Sequence, residues 1–173
     1  MAFELFTSSV EIDFADAPSQ YPTLRSQNGA RHYVFPDFHL GKRIDAEVDG
    51  LPDLAAHGDD KMDTDDEDGV SADSIRLRVG APATLQVNLV SPTGVGRLDG
   101  WIDFNRDGRW TTEEKVADNV PLVSGPNAIV VMVPEEASVG PTYARFRLSS
   151  KGGLEPTGVA SDGEVEDYCL TLV

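Results

Sequence analysis

The sequence contains a single cysteine, Cys169, so no disulfide bond can form within the chain. Basic residues are also scarce, since 14 Lys and Arg stand against 30 Asp and Glu and give a formal net charge of -16. A charge of that sign repels nucleic acids and anionic membrane surfaces. No apolar run approaches the length of a membrane span. We therefore expect no nucleic-acid binding and no membrane insertion, and cations are the expected partners.

The chain has room for one hydrophobic core. A length of 173 residues suits a single all-β domain, and we expect residues 1–173 to form one. Met1 is not followed by the charged and apolar regions of a signal peptide. We therefore expect a monomeric module taken from a larger protein.

Alternating apolar residues dominate the second half of the chain. Leu85, Val87 and Leu89 alternate with polar neighbours, and similar patterns occur at 75–79, 142–148 and 165–173. The more continuous apolar run at 128–133 predicts a central strand, and 111–118 is the best candidate for a helical turn. Pro and Gly separate these runs, as is typical of an antiparallel sheet protein. The pattern predicts an all-β, antiparallel, jelly-roll-like β-sandwich with long loops.

The run DFNRDGRWTTEE matches the spacing of an EF-hand calcium loop. The candidate ligands are Asp103, Asn105, Asp107, the carbonyl of Arg109, and Glu114, with Gly108 at the sharp turn. An entering helix is missing, because the preceding residues read as a strand. The alternative is a polar turn whose Asp and Asn side chains bond only to their own backbone.

A second set of candidate calcium ligands lies in an acid-rich segment. It comprises Asp45, Glu47, Asp49, Asp59, Asp60, Asp63, Asp65, Asp66, Glu67 and Asp68. Carboxylates this close together repel one another, so that a folded segment needs counter-cations. The alternative is a solvated or disordered segment. We expect several calcium ions in the protein and melting of residues 45–70 when they are removed.

The segment DGEVEDYCL, 162–170, is a third acidic stretch. Glu164 and Glu166 share one face of a predicted strand, while Asp167 lies on the other. These three carboxylates are candidate metal ligands. An acidic strand at the edge of a sheet that discourages aggregation is the alternative.

Taken together, these motifs resemble the GEVED family. The resemblance runs through DFADAPSQYPTL at 13–24, GARHYV at 29–34, LGKRIDAEVDG at 40–50, GDDKMDTDDEDGV at 58–70, GWIDFNRDGRW at 100–110, YARFRLS at 143–149 and GEVEDY at 163–168. It covers the chain from about residue 12 onward, although Ala15 stands where the family commonly has Gly. The sequence is also similar to the peptide-binding modules of bacterial RTX adhesins.

The resemblance implies a secreted or cell-surface protein that binds peptides when calcium is present. The expected partner is a short peptide or a protein C-terminus on a host or neighbouring cell. Asp13 and Asp16 join the candidate calcium ligands. Arg31, Tyr33, Arg145 and Arg147 are the candidate contacts to the peptide.

Three other functions compete with peptide binding. A lectin could use calcium to hold sugar hydroxyls, and a structural spacer could use calcium only for rigidity. An enzyme is the least supported, because no nucleophile motif is present. His32, His39 and His57 lack the close spacing of a zinc site. We therefore predict a binding module without catalytic residues.

Overall fold

The computed structural model describes residues 10–58, 67–71 and 76–173. Within these ranges the chain forms eleven strands and two 3-10 turns. The strands are β1 Ile12–Phe14, β2 Arg31–Tyr33, β3 His39–Leu40, β4 Arg76–Leu77, β5 Pro82–Val90, β6 Val95–Ile102, β7 Lys115–Val123, β8 Gly125–Met132, β9 Gly140–Ser149, β10 Val159–Ala160 and β11 Glu164–Leu172. The 3-10 turns are Arg25–Gln27 and Thr112–Glu114.

The strands form three sheets. A five-stranded sheet has the order β4-β11-β9-β6-β7, and two three-stranded sheets have the orders β3-β5-β8 and β1-β2-β10. Most pairs are antiparallel, while β2 with β10 and β4 with β11 are parallel. This confirms the predicted all-β antiparallel class.

The main core lies between the five-stranded sheet and the β3-β5-β8 sheet. Leu85, Val87 and Leu89 of β5 are buried there together with Phe146 and Leu148 of β9. The predicted alternation in these strands is therefore confirmed, because every second side chain enters the core.

The opposite face of the five-stranded sheet is also covered. The segment around β1 and β2 packs on it, with Ala15 and Ala30 against Val165 of β11 and Tyr21 beside Trp101 of β6. Because both faces are buried, six consecutive residues of β9, from Ala144 to Ser149, are withdrawn from solvent. The central sheet can therefore place charged side chains in the interior.

The structure corrects three expectations about the strands. The run 128–133 lies at the edge of its sheet in β8, and Val130 and Met132 are exposed. Residues 111–118 form only the short turn Thr112–Glu114 before β7 begins. β4 pairs only with Thr171 and Leu172 of β11, but Glu164, Glu166 and Asp167 are buried, so that they do not form the exposed acidic edge of the alternative. No helix among the described residues is long and apolar enough to span a membrane.

Candidate functional site

The carboxylates of the GEVED segment hold loops against the central sheet. Glu164 Oε2 accepts a hydrogen bond from the backbone N–H of Leu40, and Glu166 Oε1 accepts one from Gly69 at 2.8 Å. Both side chains are buried, and they reach the same region because they share one face of β11. The neighbouring Tyr168 hydroxyl accepts from the N–H of Val70 at 3.0 Å. Burial, and next the nearby Glu166, raise the pKa of Tyr168.

Steric crowding explains why position 163 of this segment is a glycine. Gly163 has φ of +86°, a left-handed conformation, and a Cβ built there would lie 2.1 Å from the Leu148 carbonyl oxygen. Only glycine fits this close approach of β11 to β9.

Asp167 and Arg145 form a buried ion pair. Arg145 Nε and Nη2 donate to the two carboxylate oxygens at 2.7 Å each, and both side chains are fully buried. Asp167 Oδ2 also accepts from the N–H groups of Asp16 and Ala17. Arg145 Nη1 donates to the carbonyls of Pro22 and Pro156. The pair thus ties four parts of the chain together.

Arg147 is buried in the same way. Its Nη1 donates to the carbonyls of Glu155 and Thr157, and its Nε donates to His32 Nε2 at 3.0 Å. Burial, and next the charge of Arg145, lower the pKa of Arg147 to about 9. Arg145 and Arg147 were expected at an accessible strand face. The structure instead places them in the interior, where they hold the loop 155–158.

His32 lies inside the protein as a neutral ring. Its Nδ1 lies 2.7 Å from the Asp162 carbonyl oxygen, so Nδ1 carries the proton and Nε2 accepts from Arg147. Burial, and next the positive charge of Arg147, lower the pKa of His32 well below its usual value of 6.5.

The loop 103–114 follows a strand, as expected, and closes on its own backbone. Asp103 Oδ1 accepts from the N–H groups of Arg106 and Asp107, and Oδ2 accepts from Gly108 N–H and the Tyr21 hydroxyl at 2.6 Å. Burial, and next the hydrogen bond to Asp103, raise the pKa of Tyr21. Each oxygen of Asp103 therefore already has two donors.

Glu114 closes the other end of the loop. Its Oε1 accepts from the N–H groups of Phe104 and Asn105, and its Oε2 accepts from the N–H and hydroxyl of Thr111. Asn105 and Asp107 bond to each other and to nearby N–H groups, including that of Arg109. The carboxylates at both ends are thus saturated by hydrogen-bond donors. These hydrogen bonds are those of the alternative, a turn bonded to its own backbone, and calcium binding by this loop stays a prediction.

The acids near the N-terminal segment bond mainly to backbone N–H groups. Asp13 accepts from Val165, Asp16 from Gly58, Glu47 from Phe14, and Asp49 from Arg25. Burial, and next a hydrogen bond with Asp45, raise the pKa of Glu47 to about 11. The neighbouring acids Asp45 and Asp13 thus disfavour the charged form of Glu47.

The acid-rich segment is described only in part. Asp59, Asp60, Asp63, Asp65 and Asp66 lie outside the described residues. Asp68 Oδ1 accepts from Lys42 N–H, and Lys42 Nζ lies 3.3 Å from Asp68 Oδ2. Glu67 is half-buried near Tyr168. In the part of the chain that the structure describes, no three His, Cys, Asp or Glu side chains are grouped so as to hold a metal ion.

The interior nevertheless carries an excess of acid. Among the described residues eight carboxylates are buried, against two guanidinium groups, those of Arg145 and Arg147. The buried carboxylates belong to Asp13, Asp16, Asp99, Asp103, Glu114, Glu164, Glu166 and Asp167. The difference, eight minus two, is six formal negative charges. Buried charges of one sign are costly unless protons, hydrogen bonds or cations offset them.

Two of the predicted ligand contacts lie on β2, near an open groove. Arg31 is half-buried and donates to the Gly29 carbonyl at 2.8 Å. Tyr33 is 39% exposed and lines a groove of about 450 Å³ together with Phe35 and Val10. The structure thus separates Tyr33, at the surface, from Arg145 and Arg147 in the interior.

Several residues of the network escaped the sequence analysis. Asp99 is fully buried and accepts from the N–H groups of Asn119 and Leu154 and from Lys115 Nζ at 2.9 Å. An acid inside the apolar strand LDGWI was a usable signal for a buried role. Tyr21 and His32 carry no such local signal, because their partners lie 82 and 115 positions away.

The fold and the buried network define an all-β module whose loops are held by interior carboxylates. Within it, residues 97–171 match the family model of the GEVED domain, from β6 into β11. This stretch includes the loop 103–114, the two buried arginines and the GEVED segment itself. Comparisons with curated proteins and with solved structures found no match. The predicted GEVED resemblance is therefore supported over this stretch, and the resemblance to RTX adhesins stays a prediction.

Proposed function

We propose that this chain is a monomeric peptide-binding module of a secreted or cell-surface bacterial adhesin and that calcium stabilises it. The observation that carries the proposal is the groove along β2. Tyr33 and Phe35 are 39% and 51% exposed there, and Val10 lies beside them. Exposed aromatic side chains in a groove are favoured contact residues for a protein or peptide partner.

The charge of the groove bears on the kind of peptide that it would take. A second depression of about 260 Å³, lined by Phe38 and Pro92, shares Phe35 with the groove. Glu11 lies in the first depression and Asp162 in the second. These carboxylates favour a neutral or basic peptide over an acidic one. A protein C-terminus on a host or neighbouring cell is a candidate ligand. The negative charge of Glu11 and Asp162 disfavours its terminal carboxylate.

Calcium is supported by the interior charge and not by the loop 103–114. Among the described residues the buried acid exceeds the buried base by six formal charges, and Glu67, at the described end of the acid-rich segment, lies near Tyr168 of β11. We propose that carboxylates of this segment hold the calcium ions. Calcium binds oxygen ligands and would offset their mutual repulsion. We propose a binding role and not a catalytic one, and the exposed apolar side chains of the groove support binding.

The test is a peptide library screened on the purified chain with calcium and then with chelator. Tyr33→Ala and Phe35→Ala should each lower the affinity for a selected peptide about tenfold or more, as is found for aromatic residues at the centre of an interface. Val130→Ala and Met132→Ala remove exposed apolar side chains elsewhere and should leave binding unchanged. Comparing free and amidated C-termini decides whether the terminal carboxylate contributes.

Three outcomes would contradict the proposal. If no peptide binds, or if the β8 variants weaken binding as much as the Tyr33 and Phe35 variants, the groove is not the site. For calcium, limited proteolysis should show faster cleavage within residues 45–70 in chelator. Unchanged cleavage and thermal midpoint would show that the ions are not integral, and a spacer or a metal-free module would be the better description.

A further inference from the structure

A second cleft lies apart from the β2 groove and shares none of its lining residues. It has a volume of about 370 Å³ and is more enclosed than the groove. Trp101 and Trp110 lie in it together with Lys115, and its acidic residues are Glu113, Asp118 and Glu155. Its size falls within the range of small-molecule sites.

The walls of the cleft are fixed by the buried network. The loop bearing Trp110 and Glu113 is closed by Glu114 at Thr111, with both hydrogen bonds near 3.0 Å. The opposite segment is held by Arg147 Nη1 at the Glu155 carbonyl, 2.7 Å, and by Arg145 Nη1 at the Pro156 carbonyl, 2.8 Å. A site whose walls are held in this way loses little entropy when a ligand binds.

The charges of the cleft disfavour an anion, and its one ammonium group already has partners. Three carboxylates, those of Glu113, Asp118 and Glu155, disfavour an anion. The cation position is already filled, because Lys115 Nζ lies 5.2 Å from the Trp101 ring centre and 2.7 and 2.9 Å from Asp118 and Asp99. Burial lowers the pKa of Lys115, but the hydrogen bonds to Asp118 and Asp99 outweigh it and the net shift is upward. Lys115 therefore occupies the position between Asp99, Asp118 and the Trp101 ring.

The remaining ligand chemistry is neutral and rich in hydroxyls. Most of the lining consists of carboxylate, ammonium and hydroxyl groups, which an apolar ligand would leave without hydration. The centre of the Trp110 ring already lies 4.2 Å from the centre of the Tyr21 ring and 4.4 Å from Arg145 Cζ. A sugar hydroxyl both donates and accepts, so that it can donate to the Glu113 or Glu155 carboxylate and accept from the Thr112 hydroxyl. We propose that this cleft binds a neutral mono- or disaccharide without the help of a metal ion.

The experiment is an array of neutral and anionic glycans probed with the intact chain in chelator, followed by titration calorimetry with the selected sugar. Neutral glycans should bind in chelator. Glu113→Ala and Glu155→Ala, both at exposed side chains, should each weaken binding about tenfold, the effect of losing a hydrogen bond to a charged group. Thermal melting of each variant checks that the fold is retained.

Matched controls separate this site from the β2 groove. Glu135→Ala removes an exposed acid outside the cleft and should leave sugar binding unchanged, as should Tyr33→Ala. The inference is overturned if no neutral glycan binds in chelator, if only anionic glycans bind, or if the two cleft variants bind as tightly as the wild type. Loss of peptide binding in Tyr33→Ala with sugar binding retained would establish two independent sites.

Discussion

Arg145 and Asp167 face each other directly across the β9–β11 pair and are joined by two hydrogen bonds of 2.7 Å, with both side chains fully buried. Asp167 uses its remaining capacity on the N–H groups of Asp16 and Ala17. The interior charge of this protein therefore connects the N-terminal segment, the central sheet and the loop 155–158. Pro156, which lines the cleft beside Trp101 and Trp110, is held by Arg145 at its carbonyl.

Removing one partner of this pair should be costly. In Asp167→Asn the guanidinium of Arg145 stays buried without its counter-charge, and a loss of about 3–5 kcal/mol in the free energy of unfolding is expected. Urea denaturation of the variant measures it. Asp37→Asn, at an exposed position, is the control and should change little. A loss below about 1 kcal/mol for Asp167→Asn would show that the pair does not hold the layers together.

The close approach at Gly163 predicts a second large effect. Gly163→Ala places a methyl group against the Leu148 carbonyl and forces a left-handed conformation on alanine. Strain of about 1–3 kcal/mol from the conformation, with the clash added to it, is expected as lower stability. Gly153→Ala is the matched control, since Gly153 has φ of +70° but nothing within 4 Å of its added Cβ. An equal loss of stability in the two variants would show that the clash with Leu148 contributes nothing.

The loop 103–114 should keep its structure without calcium. Glu114→Gln replaces an acceptor of four hydrogen bonds with an amide whose nitrogen faces donors, and should lower the stability by about 2 kcal/mol. Thermal melting measures the change, with the exposed neighbour Glu113→Gln as control.

Calcium distinguishes a structural from a ligating role for Glu114. Because the ions are proposed to lie in the acid-rich segment, calcium should raise the thermal midpoint equally in the wild type and in Glu114→Gln. A calcium effect that disappears in the variant would make Glu114 a calcium ligand and would reverse our assignment of the loop.

Acid should destabilise the protein through His32. The lowered pKa of folded His32 means that, below about pH 6.5, the unfolded chain takes up a proton that the folded protein does not. This stability is therefore present above pH 6.5 and is lost as the pH falls toward the folded pKa, by up to about 1.4 kcal/mol per pH unit. Urea midpoints measured from pH 7.5 to 5 should follow this trend.

His32→Gln tests the assignment, because it removes the titrating ring. Its stability should depend less on pH between 6.5 and 5 than that of the wild type, whatever its stability at neutral pH. Parallel profiles for the wild type and His32→Gln would assign the acid sensitivity to other groups.

The strand pattern was readable from the sequence because alternation depends on local geometry. Leu85, Val87 and Leu89 had to share a face of β5, and Glu164 and Glu166 had to share one of β11. The spacing of Asp103 and Glu114 likewise fixed a loop. The spacing did not determine what the loop binds, since the same oxygens can ligate a calcium ion or accept hydrogen bonds from backbone N–H groups.

The sequence by itself determined the all-β class, the faces of the strands, the acid excess and the position of the loop 103–114. The tertiary structure decided what covers each face. Arg145 and Arg147 carry the pattern of an exposed strand face, yet the segment around β1 and β2, more than a hundred positions away, buries them. The physical reason is that side-chain direction follows from neighbouring backbone angles, whereas burial and hydrogen-bond partners follow from contacts between distant parts of the chain.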